Sequence, residues 1–278
     1  MERISAAIDK ARKERQAGGK PGTGPARAAG GRGAGSGGNE AALSELWQGL
    51  ATVEVNPRIL TRNRILTYQP GPQATPFDVM RTKLLHEMRS NDWRRIAITS
   101  PSNDCGKSTI CLNLAFSLAR QSDLRVMVIE LDLRRPSLAR MMRLQTDTNF
   151  AAALSGAAPA AGHIRRHGRN LALATSHVTP NSAELLQGVA AAHVIDQVET
   201  LYRPDVMLFD MPPMLVADDT MAFIDQVDAT LLIAAAESST MDEVTRCKQD
   251  LEAQTNLVGV VLNKCRYAEN AGTYDYGS

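Results

Sequence analysis

Residues 99–109 read Thr-Ser-Pro-Ser-Asn-Asp-Cys-Gly-Lys-Ser-Thr and lie between an apolar strand pattern, residues 95–99, and a helical pattern, residues 107–120. This order is typical of a phosphate-binding loop, in which backbone N–H groups and a helix N-terminus surround the β- and γ-phosphates. Lys107 would add a positive charge and Ser108 a hydroxyl ligand for Mg²⁺. The sequence therefore predicts a site for ATP or GTP. The predicted nucleotide contacts in the loop are Asn103, Asp104, Cys105, Gly106, Lys107, Ser108 and Thr109. The alternative is a serine-capped helix N-terminus with a lone surface lysine.

Carboxylate residues follow two further apolar runs. The run Arg-Val-Met-Val-Ile at residues 125–129 predicts a buried strand that leads into Glu130 and Asp132, and a second strand pattern ends at Asp210. Because open α/β sheets bind ligands beyond the carboxyl ends of their strands, Lys107, Asp132 and Asp210 are expected at one crevice. A phosphate cradle, carboxylates for a metal and a group that orients the attacking oxygen are the components of phosphoryl transfer. The alternative is that both aspartates only cap helices.

Strand and helix patterns alternate along most of the chain. Further strands are predicted at residues 171–175, 229–235 and 257–262, and helical stretches at residues 182–202 and 240–254. This alternation predicts an α/β fold with a mainly parallel sheet and helices on both faces. Residues 138–167 are rich in alanine and arginine, and we expect helices and loops over the sheet edge there.

The composition divides the chain into four parts. The predicted parts are a basic amphipathic leader helix at residues 1–16, a disordered Gly/Ala-rich linker at 17–39, an ATP-binding domain at 40–264 and a flexible tail at 265–278. The domain is expected to begin with a short helix at residues 40–50 that buries Trp47. The leader helix would dock on a membrane protein or on anionic lipid, or would be simply solvated.

Composition also argues against several classes of protein. No apolar run reaches the roughly 18 residues that a membrane span requires, and the first residues lack the apolar region of a signal peptide. The four cysteines show no zinc-binding spacing, which suits reduced thiols. Residues 1–39 carry a net charge of +5 from eight Lys or Arg and three Asp or Glu, whereas the whole chain is +1. No groove-reading motif accompanies this charge, so we expect no binding to nucleic acid. Because neither a membrane span nor a signal peptide is predicted, we expect a cytoplasmic protein.

Five motifs between about Phe77 and Asn263 share the pattern of one family. They are Ser-Pro-x4-Gly-Lys-Ser-Thr, Asp132-Leu-Arg-Arg-Pro, Pro180-Asn-x2-Glu184-Leu-Leu, Asp210-x-Pro-Pro and Gly259-Val-Val-Leu-Asn263. With them, the chain resembles the cytoplasmic P-loop domain of the bacterial tyrosine autokinases of capsule and exopolysaccharide synthesis. Division-site and plasmid-partition ATPases look similar but carry a second lysine where this chain has Ser102. The absence of that lysine favours the kinases.

The resemblance implies a P-loop NTPase-like fold and an ATP-dependent protein-tyrosine autokinase that uses Mg²⁺ and regulates polysaccharide polymerisation or export. Lys107 would bind and polarise the phosphates. Ser108 and Asp132 would organise Mg²⁺, with Asp210 supporting the metal site. Glu130 would stand where the family has its catalytic aspartate.

Further implications concern the base, the phosphate acceptors and the partners. Asn263 would lie near the adenine. The acceptors would be tyrosines of the tail, phosphorylated between neighbouring subunits, namely Tyr267, Tyr274 and Tyr276. The resemblance also implies a homo-oligomer and a membrane-spanning chain-length or co-polymerase partner that holds the chain at the inner membrane.

The sequence departs from the family pattern at three places. Asp104 replaces a glycine of the loop and directs a like charge toward the triphosphate, which predicts weaker nucleotide binding. Glu130 adds a methylene to the expected aspartate, which predicts slow activity. Thr75 and Asp78 replace two members of the ring-forming helix motif that Arg81 ends, which leaves the oligomer geometry open. The alternative functions are a P-loop ATPase switch that is not a kinase and a degenerate kinase that acts as a scaffold.

Overall fold

The computed structural model describes residues 36–145, 147–236 and 238–265. The chain divides into two units, residues 1–36 and residues 37–278, and the described residues belong almost entirely to the second. The predicted leader helix, most of the predicted linker and the three tail tyrosines lie outside the described residues.

A seven-stranded sheet forms the centre of the fold. The strands are β1 (Arg95–Thr99), β2 (Val126–Glu130), β3 (Ile164–His167), β4 (Leu171–Ala174), β5 (Val206–Asp210), β6 (Ala229–Ala235) and β7 (Asn256–Asn263). Their spatial order is β3-β4-β2-β5-β1-β6-β7, and every neighbouring pair is parallel except β3 and β4. The predicted α/β class with a mainly parallel sheet is confirmed.

Helices connect the strands and cover the sheet. They are α1 (Ser36–Gly49), α2 (Pro57–Arg62), α3 (Thr75–Asn91), α4 (Lys107–Ala119), α5 (Leu138–Met142), α6 (Phe150–Leu154), α7 (Ser182–Gln187), α8 (Val189–Tyr202), α9 (Asp219–Phe223) and α10 (Met241–Gln254). Short 3₁₀ segments occupy Pro72–Ala74, Ala160–His163 and Ile224–Gln226. Within the described part of the chain, no helix combines the length and apolar character needed to cross a bilayer.

The core lies on both faces of the sheet because successive strand residues point to opposite sides. Ile96 and Ile98 of β1 pack in one cluster with residues of α3 and α4. Ala97, between them, belongs to the other cluster, with residues of α1, α6, α8 and α10. Strands buried on both faces read as continuous apolar runs, which is why the sequence revealed them.

The expectation for residues 138–167 was incomplete, because this region ends in the antiparallel edge strand β3. The sequence Ile-Arg-Arg-His has no apolar alternation that would predict a strand. It pairs instead with β4 in an antiparallel hairpin on one side, and on the other side a long-range bond fixes it, because Val53 N donates to Arg166 O at 2.9 Å.

Two helix boundaries also differ from the expectation. The stretch at residues 182–202 is two helices, because Gly188 adopts an extended backbone with φ −66° and ψ 143° that interrupts the helical hydrogen bonds. Helix α1 begins at Ser36, ahead of the predicted start at residue 40.

The predicted burial of Trp47 agrees with the structure. The Trp47 side chain is 2% exposed, and its Nε1 donates to Tyr202 O at 2.7 Å. Its ring meets the Tyr202 ring edge-on, with centroids 6.4 Å apart. Trp47 therefore attaches α1 to the end of α8.

Trp47→Ala is expected to lower the free energy of unfolding by about 3–5 kcal/mol, because it leaves a cavity where the indole packs. Trp47→Phe keeps an aromatic ring but loses the hydrogen bond, and should cost about 1–2 kcal/mol. Urea unfolding followed by circular dichroism measures both variants. Wild-type stability of Trp47→Ala would contradict this account of α1.

Candidate phosphate and metal site

The phosphate loop joins β1 to α4 through two residues with a left-handed backbone. Asp104 has φ 60° and Gly106 has φ 89°. The φ of Gly106 is one that side chains rarely adopt, and a Cβ there would lie 2.2 Å from Asn263 Nδ2, so glycine suits this position. Aspartate tolerates the left-handed region better than most residues. Asp104 can therefore replace a glycine without distorting the loop, with its side chain exposed.

The start of the loop is held by the segment that follows β5. Thr99 Oγ1 donates to Pro212 O at 2.7 Å, and Met214 N donates to Ser100 O at 2.8 Å. The Asp210-x-Pro-Pro motif and the residue after it thus contact the start of the phosphate loop through their main-chain atoms.

Lys107 lies between carboxylates from two other strand ends. Its Nζ is 2.8 Å from Asp132 Oδ2. Burial works against its charge, but the Asp210 and Asp132 carboxylates outweigh burial and raise the pKa of Lys107 above its ordinary value. The predicted convergence of Lys107, Asp132 and Asp210 is what the structure shows, because β5 lies between β1 and β2.

Asp210 is fully buried, and no hydrogen bond of ordinary geometry reaches either carboxylate oxygen. Burial raises its pKa to about 6, although Lys107 and the nearby Ser108 hydroxyl oppose the shift. A buried carboxylate with free lone pairs beside a serine hydroxyl fits a hard cation such as Mg²⁺, which prefers oxygen ligands. Ser108, Asp132 and Asp210 are the side chains that could hold it.

Glu130 is placed differently from the other carboxylates. Its side chain is fully buried. Oε1 accepts hydrogen bonds from the backbone N–H groups of Ser137 and Leu138, and Oε2 accepts one from Ser176 N at 3.0 Å. These bonds connect the end of β2 to the start of α5 and to the segment after β4. The carboxylate that the resemblance makes catalytic is thus occupied by main-chain donors.

Two residues outside the predicted site also make contacts around it. Arg134 Nε donates to Asp219 Oδ2 at 2.8 Å, which connects the segment after Asp132 to α9. Ser239, after β6, has its Oγ 3.5 Å from Cys105 Sγ. Burial opposes the Cys105 thiolate, but hydrogen bonds from Ser239, Ser102 and Ser100 outweigh burial and lower its pKa. No sequence signal identifies Ser239, because its contact joins residues 134 positions apart.

The remaining predicted residues lie around the loop. Asn103 lies within it, where its carbonyl is 3.8 Å from Cys105 Sγ, and Thr109 lies in the first turn of α4. Asn263 lies at the end of β7, and its Nδ2 donates to Cys105 O at 2.9 Å.

Comparison with known proteins identifies the family. The ParA family profile, described as "NUBPL iron-transfer P-loop NTPase", matches residues 93–274, and the chain belongs to this family of P-loop NTPases. Tyrosine-protein kinase etk of Escherichia coli strain K12 is 29% identical over 187 residues, which are 66% of this chain and 25% of that relative. The chain therefore spans about a quarter of the length of etk.

Two further comparisons cover more of the related protein. Tyrosine-protein kinase CpsD of Streptococcus agalactiae is 27% identical over 210 residues, 73% of this chain and 87% of CpsD. The solved kinase domain of Escherichia coli tyrosine kinase ETK aligns with a TM-score of 0.65 and 27% identity, and covers 73% of this chain and 80% of that domain. The predicted resemblance to bacterial tyrosine kinases and the P-loop NTPase-like fold are confirmed.

Glu130 generates a pH prediction for the metal-free protein. Burial raises the pKa of Glu130 from 4.5 to about 7, and its three backbone hydrogen bonds offset this shift only in part. Between pH 4.5 and about pH 7 the folded protein therefore keeps a proton on Glu130 that the unfolded chain releases. Its contribution to stability is therefore full below about pH 4.5 and is lost as the pH rises to about 7. Glu130→Gln should flatten this part of the profile of melting temperature against pH, measured in EDTA.

The same substitution at exposed Glu184 provides the control. A melting profile that keeps its slope in Glu130→Gln would show that Glu130 does not titrate in this interval.

Proposed function

We propose that this chain is an ATP-dependent protein-tyrosine kinase that phosphorylates tyrosines of its own C-terminal tail and regulates polymerisation or export of an extracellular polysaccharide. The observation that carries the proposal is the convergence of Lys107 and Ser108, on the phosphate loop, with Asp132 and Asp210 from the ends of β2 and β5. The tyrosine-kinase names of its relatives support tyrosine as the acceptor.

Lys107 would exchange its contact with Asp132 for the phosphates of ATP. This exchange would release Asp132 Oδ2, while Asp132 Oδ1 stays fixed by the N–H of Arg135 at 3.0 Å. Asp132 could then accept the proton of the incoming tyrosine hydroxyl. The tyrosine oxygen would bond to the γ-phosphorus as the bond to the β–γ bridging oxygen breaks and ADP leaves.

Mg²⁺, when bound, would neutralise charge that develops on the phosphate oxygens. Ser108 and Asp210 would hold it, because Asp132 Oδ2 is assigned to the tyrosine proton. Asp210 is suited to this role because both of its oxygens are buried without hydrogen bonds and lie near Ser108.

Glu130 would act as an anchor rather than as the proton acceptor. Three main-chain N–H groups already occupy its two oxygens, whereas Asp132 faces the phosphate loop. The bonds of Glu130 close the segment between β2 and α5, which carries Asp132. This assignment replaces the catalytic role that the family resemblance implies for position 130.

The resemblance also supports a setting for the enzyme. A membrane-spanning chain-length or co-polymerase protein would be its partner and would hold it at the cytoplasmic side of the inner membrane. Transfer to a neighbouring tail would take place within a homo-oligomer. In the described residues, Asp78 Oδ1 lies 3.3 Å from the Arg81 guanidinium on the same helix, and Asp78 Oδ2 lies 2.6 Å from the guanidinium of Arg120, which directly follows α4. These side chains are therefore engaged within the subunit.

Lys107→Met is expected to abolish ATP binding and tail phosphorylation. The purified protein, incubated with Mg²⁺ and radiolabelled ATP and then mapped by mass spectrometry, should carry phosphate on Tyr274 or Tyr276 before Tyr267. In the sequence the two later tyrosines are flanked by glycine and polar residues, and we expect such a segment to reach another subunit at little ordering cost.

Ser108→Ala provides a second variant, because it keeps the Lys107–Asp132 ion pair that Lys107→Met removes. Circular dichroism checks that both variants fold. Unchanged ATP affinity in folded Lys107→Met would refute the phosphate-loop assignment. ATP binding without any phosphotyrosine, in the presence of the membrane partner, would favour the scaffold alternative.

Asp104→Gly is expected to tighten Mg-ATP binding about three- to tenfold, because it removes a negative charge near the triphosphate and suits the left-handed backbone. Asp104→Asn tolerates the same backbone and removes only the charge. Isothermal titration calorimetry of the two variants separates the two causes. Weaker binding in both would show that Asp104 contributes to the site, for example through Mg²⁺.

A further inference from the structure

Asn263 lies directly against the phosphate loop. Its Nδ2 donates to Cys105 O at 2.9 Å, across 158 residues of sequence. The same nitrogen would be 2.2 Å from a Cβ at Gly106, so the absence of a side chain at Gly106 admits the amide. This contact is to the main chain of the loop itself.

The backbone of Asn263 is fixed as well. Asn263 is the last residue of β7 and pairs with Ala235 of β6, and its carbonyl accepts a hydrogen bond from Ala236 N at 2.9 Å. The amide group therefore extends from the end of a strand, not from a free loop.

Ser239 holds the same loop residue from a second direction. Its Oγ accepts from Ala235 N at 3.0 Å and lies 3.5 Å from Cys105 Sγ. Asn263 thus contacts the main chain of Cys105, whereas Ser239 contacts the side chain of Cys105. Both contacts come from the carboxyl ends of β6 and β7.

We propose that Asn263 is a positioning residue that sets the direction of the Cys105–Gly106 peptide in the phosphate loop. This inference rests on the proposed nucleotide site. In a trans peptide the C=O and the following N–H point in opposite directions. A hydrogen bond from Asn263 to the Cys105 carbonyl therefore holds the Gly106 N–H on the opposite side, where a cradle for phosphates needs it. The effect is independent of the base.

The test compares three ligands that share phosphates and differ in the base: Mg-ATP, Mg-GTP and Mg-tripolyphosphate. Asn263→Ala should weaken binding of all three by the same factor, about three- to tenfold, the usual effect of one lost hydrogen bond. A residue that reads adenine would change the affinity for ATP and leave that for tripolyphosphate unchanged.

Asn256→Ala is the matched control. It removes the same side chain from the other end of β7, where Asn256 Nδ2 also donates to a backbone carbonyl, Asp228 O at 2.8 Å. Ser239→Ala removes the second contact to Cys105 and should weaken all three ligands in the same direction as Asn263→Ala. Asn256→Ala should leave all three affinities unchanged.

Hydrogen exchange of the ligand-free protein tests the inference without any nucleotide. Peptides covering residues 99–110 should exchange faster in Asn263→Ala than in wild type or Asn256→Ala. Unchanged exchange, or a loss of affinity confined to ATP, would overturn the inference. If wild type binds none of the three ligands, the proposed nucleotide site fails, and the exchange experiment still decides the role of Asn263.

Discussion

The charge of Lys107 stabilises the two buried aspartates at the carboxyl ends of the parallel strands, and the proposed site depends on it. Three acidic side chains are buried there, and each is stabilised differently. Asp132 pairs with Lys107 at 2.8 Å, Glu130 accepts three main-chain hydrogen bonds, and Asp210 has no hydrogen bond of its own and depends on the charge of Lys107 and the nearby Ser108 hydroxyl. A buried carboxylate without a partner is costly, so the charges of Asp132 and Asp210 are compensated only while Lys107 remains beside them. A nucleotide that draws Lys107 away would alter the environment of both aspartates, which links binding to the release of Asp132.

The extra methylene of Glu130 has a structural explanation. Glu130 and Asp210 are paired neighbours on β2 and β5, yet the Glu130 carboxylate reaches the N–H groups of Ser137, Leu138 and Ser176. A shorter side chain would reach these donors less well. The longer residue thereby separates two roles, because Glu130 closes the segment after β2 and Asp132 remains directed at the phosphate loop. If the proposed function holds, the departure from the family pattern would change which carboxylate accepts the tyrosine proton.

The phosphate loop is likewise shaped by residues that are distant in sequence. Glycine suits position 106 because its φ of 89° is one that side chains rarely adopt and because a Cβ there would meet Asn263 Nδ2. Asp104 is acceptable because aspartate tolerates its left-handed backbone. Asn263 and Ser239 both contact Cys105, so the ends of β6 and β7 contribute to the form of a loop that starts at β1. The mainly parallel sheet makes this possible, since the carboxyl ends of its parallel strands meet at one edge.

The sequence by itself determined the α/β class, the strands β1, β2, β4, β5, β6 and β7 to within a residue, and the meeting of Lys107, Asp132 and Asp210. Local patterns carry this information, because strands buried on both faces appear as apolar runs and parallel strands place their ends together. Only the tertiary structure decided that residues 164–167 pair as an edge strand, that Gly188 divides a helix, that main-chain donors occupy Glu130 and that Asn263 contacts Cys105. Each of these depends on hydrogen bonds between particular residues or on the backbone angles of one residue, and neither leaves a periodic signal in the sequence.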